Sequence, residues 1–181
     1  MILKVRENIE MRTLVLENAE EIFSVIDKNR DILRQWLLWV DETKSVENIR
    51  KKIQEWEQNI KDKSRYNFGI FQNGDYIGHI GVHSINGLSE SAMIGYWLSP
   101  YCQGNGIMTD CVRKLTDYCF DENGLNLNSV HISCADGNKK SRAVPERLNF
   151  IQEGVLQDCM KYYGVYYDEV IYGVLKRNWC K

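Results

Sequence analysis

The chain has no run of apolar residues long enough to span a bilayer, and Met1 to Val15 carries charges throughout, so it offers no signal-peptide core. A cytoplasmic protein is expected on that ground. Basic excess is missing as well: the formal net charge is −2, which argues against general affinity for nucleic acid, because phosphate binding of that kind rests on surplus cations. A local basic patch stays compatible with that total. No internal repeat, low-complexity tract or Pro-rich linker marks a boundary. With 181 residues and 44% hydrophobic content, one domain spanning residues 1–181 can bury a proper core. The six cysteines, Cys102, Cys111, Cys119, Cys134, Cys159 and Cys180, form no CxxC pair and no metal-finger spacing. They read as free thiols. His79 and His83 fall on an expected strand, where four residues at about 3.3 Å each separate them by about 13 Å. One ion cannot bridge that directly, and no metal is expected.

What is present has a clear order. Glu7 to Leu14 alternates loosely and suggests an opening strand. Glu17 to Leu37 carries Ile22, Val25, Ile26, Ile32 and Leu33 near helical spacing, with a break around Asn29. An apolar cluster from Trp36 to Val40 precedes the polar Asp41-Glu42-Thr43-Lys44. Ser45 opens a second helix with Ile49, Ile53, Trp56 and Ile60 on one face. From Tyr66 the period changes to strands, with Asn73-Gly74 as a hairpin turn whose residues tolerate positive φ. Asn86-Gly87 turns into a strand over Ala92–Leu98. Gly104 to Asn123 reads as an amphipathic helix with Val112, Leu115, Tyr118 and Cys119 inward and Gly124 as its cap. Ser129–Cys134 is β-rich, Lys139–Leu148 helical, and Phe150–Leu156 and Val165–Lys176 supply the last strands. The order predicts an α/β (α+β) fold, a mixed, mostly antiparallel sheet with helices on both faces.

The chemistry concentrates in Gly95-Tyr96-Trp97-Leu98-Ser99-Pro100-Tyr101-Cys102-Gln103-Gly104-Asn105-Gly106-Ile107-Met108-Thr109. A strand ends, a turn follows, and two glycines open a helix whose first N–H groups have no partners within it. Glycine lets the backbone approach a diphosphate closely, and the helix dipole adds roughly half a positive charge there. An ordinary glycine turn would read the same way. A Walker loop would need Gly-Lys-Ser/Thr after four intervening residues, and a dinucleotide fingerprint a third glycine where Thr109 stands.

What remains resembles the GNAT superfamily of N-acetyltransferases, whose pyrophosphate motif runs Gln/Arg-x-x-Gly-x-Gly/Ala. Gln103, Gly104, Asn105, Gly106, Ile107 and Met108 align with it, and Met108 in place of the final Gly/Ala is similar to the branch that acetylates N-termini of ribosomal proteins. Downstream, Asn138-Lys139-Lys140-Ser141 and Arg147-Leu148-Asn149-Phe150 resemble that branch's Asn-x-x-Ser, helix, Arg-Leu-Gly-Phe pattern. Asn149 replaces the usual glycine, and Asn enters the left-handed region more readily than most residues. Taken alone, Asn138 is equally a helix N-cap.

The resemblance covers about Glu7 to Trp179 and implies acetyl-CoA as cosubstrate. It places the diphosphate on the segment Gln103, Gly104, Asn105, Gly106, Ile107, Met108 and Thr109, and it implies that Asn138 and Ser141 also bind the cofactor. It implies that the pantetheine arm meets backbone groups of Trp97 and Leu98, between strands that splay apart. The amine then attacks the acetyl carbon directly, with Ser141 donating to the departing sulfur. Pro145 lacks an N–H and leaves the carbonyl of residue 141 without its usual helical partner, which either kinks the helix or is tolerated near its start.

Many relatives carry a glutamate just before Ile-Gly-Tyr-Trp, where this chain has Met93. His83 is the candidate base, with Gly81 on the same strand face leaving room for a substrate, and a half-exposed structural histidine is the alternative. Glu90, Asp41 and Glu42 act through water, attract a cationic acceptor, or are solvated loop charges. Trp36, Trp39, Tyr162, Tyr163, Tyr166 and Tyr167 wall the acceptor site or serve as core and dimer contacts. Asp168 resembles an acidic position of the last strand. The acceptor is expected to be a protein N-terminus or a small amine such as an aminoglycoside, polyamine or amino acid. A homodimer without nucleic-acid or membrane partners is expected. A CoA-binding sensor that lost turnover is the reading from another class.

Overall fold

A computed structural model describes residues 1–179, and Cys180 lies outside them. The strands are β1 (Ile2–Arg6), β2 (Ile9–Arg12), β3 (Tyr66–Gln72), β4 (Asp75–Asn86), β5 (Ser91–Leu98), β6 (Ser129–Ala135), β7 (Ile151–Tyr162) and β8 (Val165–Leu175). The helices are α1 (Ala19–Lys28), α2 (Arg30–Leu33), α3 (Trp39–Glu42), α4 (Val46–Lys61), α5 (Ile107–Phe120) and α6 (Lys139–Arg147). One sheet runs in the order β1-β2-β3-β4-β5-β6-β8-β7. Its β5–β6 pair is parallel, whereas β1–β2, β2–β3, β6–β8 and β7–β8 are antiparallel. This is the mixed, mostly antiparallel sheet expected from the element order.

The chain divides into two compact units, Met1–Gly81 with Tyr96–Ile107, and Val82–Gly95 with Met108 onward. In the first, Ala19, Ile22, Ile26, Leu33, Val40, Ile49, Ile53, Phe71 and Tyr76 form one buried cluster. The inward stripes of α1 and α4 supply most of it, as a 3.6-residue period requires. Ser45 caps α4 in extended conformation, with Asn48 three residues on reaching back to its backbone N–H. Asn29 breaks α1 from α2 in a non-helical conformation. Trp97 joins the cluster through Trp39 and Tyr76, at ring-centroid distances of 6.2 and 6.0 Å.

In the second unit Cys111, Val112, Leu115 and Cys119 of α5, Val130 and Ile132 of β6, and Val144, Leu148, Phe150 and Tyr172 are buried. Trp179 packs edge-on against Phe120 and Phe150 and donates its indole N–H to Asp117 at 2.7 Å. A polar cluster fastens α6 to β8. Arg142 Nε donates to the Tyr172 hydroxyl at 2.9 Å, and that hydroxyl donates to Glu146 Oε1 at 2.8 Å.

Several expectations change. The opening strand is a hairpin, β1 and β2, because the alternation extends back to Ile2 through the half-exposed residues of an edge strand. Asp41 and Glu42 lie in α3, where Asp41 pairs with Arg34 at 3.0 Å. The helix expected from Gly104 begins at Ile107. Gly124 does not cap α5 in the left-handed region: it is needed because a Cβ there would meet the Tyr118 carbonyl oxygen at 2.1 Å. The turns at Asn73-Gly74 and Asn149 do take positive φ, at 53°, 94° and 58°.

Candidate active site

The segment after β5 is built for a backbone surface. Proline starts a short turn over Pro100–Cys102, and the Gln103 side-chain amide donates back to the Leu98 carbonyl at 3.0 Å, fastening the loop to the strand end. Gly104 and Gly106 take φ of +86° and +72°, which side chains rarely adopt. A Cβ on Gly104 would meet nothing within 4 Å, and one on Gly106 only Arg6 Nη2 at 3.2 Å. These glycines are therefore not packing devices. They keep an exposed backbone bare, the arrangement a diphosphate requires. Ile107, Met108 and Thr109 bury their side chains, so α5 offers an incoming anion only main-chain N–H groups. The residues present fit the diphosphate of coenzyme A.

Arg6 is a neighbour of this loop that the motif does not contain. It donates from Nη2 to the Asn105 carbonyl at 3.1 Å, which places a guanidinium against the glycine loop from the end of β1. No spacing in the sequence joins two residues 99 positions apart. At the strand end, Trp97's carbonyl oxygen would stand 2.5 Å from a Cβ on Gly78, so that glycine keeps β4 close to β5.

In the second unit the described β5–β6 ladder pairs Ser91, Ala92 and Met93 with Ser129, Val130 and His131. Beyond it, Asn138 starts α6 and accepts the Ser141 backbone N–H at 3.2 Å. Asn138 is thus a helix cap whose role fixes Ser141 in the first turn. The Ser141 hydroxyl hydrogen-bonds the Cys134 thiol, whose pKa burial pushes up. Pro145 is buried inside α6.

His83 lies on β4 with Nδ1 3.1 Å from the Ser84 hydroxyl, and its Nε2 would be 3.3 Å from a Cβ on Gly95. Gly95, on the neighbouring strand, leaves the space for this imidazole. Gly81 does not leave room for a substrate: a Cβ there would meet the Tyr66 carbonyl at 2.8 Å and Asn67 Oδ1 at 3.0 Å. His79 is a structural histidine. It packs against Trp56 at 4.8 Å and shares a 3.1 Å hydrogen bond with Asn67 Oδ1, and desolvation lowers its pKa to about 4.

The other acidic candidates have structural places too. The Glu90 carbonyl accepts from Asn128 and Ser129, and Asp168 Oδ1 accepts the Asp158 N–H at 3.0 Å, closing a bulge in β7. Tyr162 and Tyr167 meet edge to face at 5.9 Å, while Tyr163 and Tyr166 are exposed near the β7–β8 turn. Cys102, Cys111, Cys119, Cys134 and Cys159 are free thiols. Among the described residues no group of His, Cys, Asp or Glu is gathered as a metal site, and no helix is long and apolar enough to cross a membrane.

A mixed, mostly antiparallel sheet and a bare glycine turn feeding a helix fit an acyl-CoA-dependent transferase. The chain belongs to the GNAT acetyltransferase family: the model of the acetyltransferase (GNAT) domain matches residues 8–151. It is similar to YdaF of Bacillus subtilis (strain 168), provisionally called a ribosomal N-acetyltransferase, at 37% identity over 177 residues, 97% of this chain and 96% of that one. The ribosomal-protein-serine acetyltransferase of Escherichia coli (strain K12) is 30% identical over 93% of this chain and 92% of its own. Among solved structures, a ribosomal L7/L12 α-N-protein acetyltransferase in complex with coenzyme A has a TM-score of 0.91 at 26% identity, covering 97% of this chain and 98% of its own. The protein is an acetyl-CoA-dependent N-acetyltransferase.

Proposed function

We propose that this enzyme acetylates the N-terminal α-amine of a ribosomal protein, in the cytoplasm, as one domain and as a homodimer. The observation that carries the acceptor assignment is the similarity along nearly the whole chain to proteins named for that reaction. The family match across residues 8–151 takes in parts of both compact units, which supports reading them as one domain. For the dimer, the support is a long edge strand, β7, with Ile151, Val155 and Leu156 exposed. Such edges invite pairing with another chain.

Each residue then has a task. Gln103 holds the loop against β5, and the N–H groups from Gly104 to Thr109 bind the diphosphate, with Arg6 adding charge beside them. Backbone groups of Trp97 and Leu98 meet the pantetheine. Asn138 positions Ser141, whose hydroxyl protonates the departing sulfur. His83 takes a proton from the attacking ammonium. Acetyl-CoA supplies the acyl group and its thiol is released.

The test is thiol release with acetyl-CoA and peptides beginning with serine or alanine, compared with the same peptides blocked at the N-terminus and with polyamines, aminoglycosides and free amino acids. Turnover confined to free N-termini is expected. Turnover confined to small amines replaces the acceptor assignment, and tight cofactor binding without turnover on any amine favours a sensor.

A further inference from the structure

Transfer from a thioester to an ammonium needs one group that takes a proton from the nitrogen and another that gives a proton to the departing sulfur. Ser141 and α6 define one face of the sheet. Tyr172, which binds Arg142 and Glu146 of α6, is the register partner of Ile132, so Ile132 and Cys134 share the α6 face. His131 therefore points to the other face.

That other face carries a row of titratable groups assembled by register. His131 is the β6 partner of Met93 on one side and of Gly173 on the other. Glu153 of β7 folds its carboxylate over Gly173, where a Cβ would come within 2.4 Å of it, and its Oε2 lies 3.3 Å from His131 Nε2. Gly173 is thus the opening that lets the pair form. Gly95, two residues after Met93 and on the same face, receives the His83 imidazole. The His131 side chain keeps 24% of its surface exposed and Glu153 44%, so both remain open to a solute. Of the neighbours in the row, Met93 and Gly173 are uncharged, and Ser129 and Ser133 are the residues of β6 on this face. Among the described residues of this row, the acid against His131 is Glu153.

We propose that His131, oriented by Glu153, takes the amine's proton in place of His83, standing one strand from the position that Met93 leaves without a carboxylate. This rests on the acetyl-transfer reading above. With Nε2–H donating to Glu153, Nδ1 carries the lone pair. The ammonium gives one proton to His131, and the freed nitrogen pair forms the C–N bond as the C–S bond breaks and its electrons leave on sulfur. The nitrogen's second proton passes to solvent, and Ser141, having given its proton to the sulfur, regains one from solvent. His131 returns its proton to solvent.

The test compares kcat and KM against pH for wild type, His131→Asn, Glu153→Gln, Glu153→Asp and His83→Asn, with acetyl-CoA affinity measured by calorimetry. His131→Asn should lower kcat by about 10²-fold and remove the acidic limb of the profile, at unchanged acetyl-CoA affinity. Glu153→Gln should lower kcat about tenfold with little change in KM, and Glu153→Asp should restore part of it. If His131→Asn fails to fold, the Glu153→Gln and Glu153→Asp pair stands in for it, and a wild-type kcat in both would overturn the inference. A wild-type rate and profile in His131→Asn, or a limb that follows His83 instead, overturns the inference while leaving the transferase reading intact. Absence of acetyl-CoA binding in the wild type would strike that reading instead.

Discussion

Replacing Gly106 with glutamate tests the glycine loop by two separable costs. Gly106 sits at φ +72°, where an L-residue costs about 1–2 kcal/mol. Alanine at that position pays this cost and also presses its Cβ against Arg6 Nη2, 3.2 Å away. Gly104→Ala pays the conformational cost alone, since its Cβ meets nothing within 4 Å. Glutamate at 106 adds a carboxylate beside a bound diphosphate. At about 4 Å that repulsion is about 1 kcal/mol in bulk water and about 4 kcal/mol near a protein surface. The strain belongs to the fold with or without ligand, so Gly104→Ala should lower stability by about 1–2 kcal/mol at nearly unchanged acetyl-CoA affinity, whereas the carboxylate of Gly106→Glu should lower affinity by about 5-fold to about 10³-fold, at 1.4 kcal/mol per tenfold. Calorimetric titration reads both, with thermal melting as the check that each variant folds. Equal affinity in wild type and a folded Gly106→Glu would refute a diphosphate at this loop.

Four further outcomes follow from particular contacts. Ser141→Ala should lower kcat by about 10–10²-fold while acetyl-CoA affinity stays within about twofold, since the hydroxyl acts on a charge that develops only during transfer; a parallel loss of both would contradict that role. Arg6→Gln should weaken acetyl-CoA by about threefold to tenfold, more at low salt than high, because an exposed cation beside an anion is screened. Tyr172→Phe removes a hydroxyl that both accepts from Arg142 and donates to Glu146, and should cost about 1–3 kcal/mol in chemical denaturation. His79 favours its neutral form in the fold, with its pKa lowered to about 4 from 6.5 in the unfolded chain. The unfolded state therefore binds more protons between those values. The stability this contributes, up to about 3 kcal/mol, is complete above about pH 6.5 and lost as pH falls toward 4, and His79→Gln should flatten that dependence.

Local chemistry was the readable part of this chain. Asn73-Gly74 and Asn149 declare positive φ by residue type, and Ser45 with the stripe Ile49–Ile53 declares α4. The Asn138-to-Ser141 cap and the positive φ of Gly104 and Gly106 are likewise local, so each follows from a few neighbouring residues. What depended on register was not readable. Met93, His131, Gly173 and Glu153 meet only because three strand pairings bring them into one row. Arg6 reaches Asn105 only once the sheet has formed. Glycines misled where close approach, rather than turning, explains them: Gly81 seats the Tyr66 carbonyl and Gly124 the Tyr118 carbonyl, whereas Gly81 had suggested open space and Gly124 a cap. The hairpin β1–β2 was half hidden because a short, charged edge strand has too little alternation to stand out.

The proposed cofactor site depends on backbone N–H groups between Gly104 and Thr109 receiving the diphosphate. Amide NMR of the nitrogen-15-labelled enzyme titrated with coenzyme A measures this directly. Saturable shifts centred on Gly104, Asn105, Gly106 and Ile107, absent when the titrant is pantetheine without the nucleotide diphosphate, are predicted. Saturable binding that leaves those four amides unmoved would contradict it.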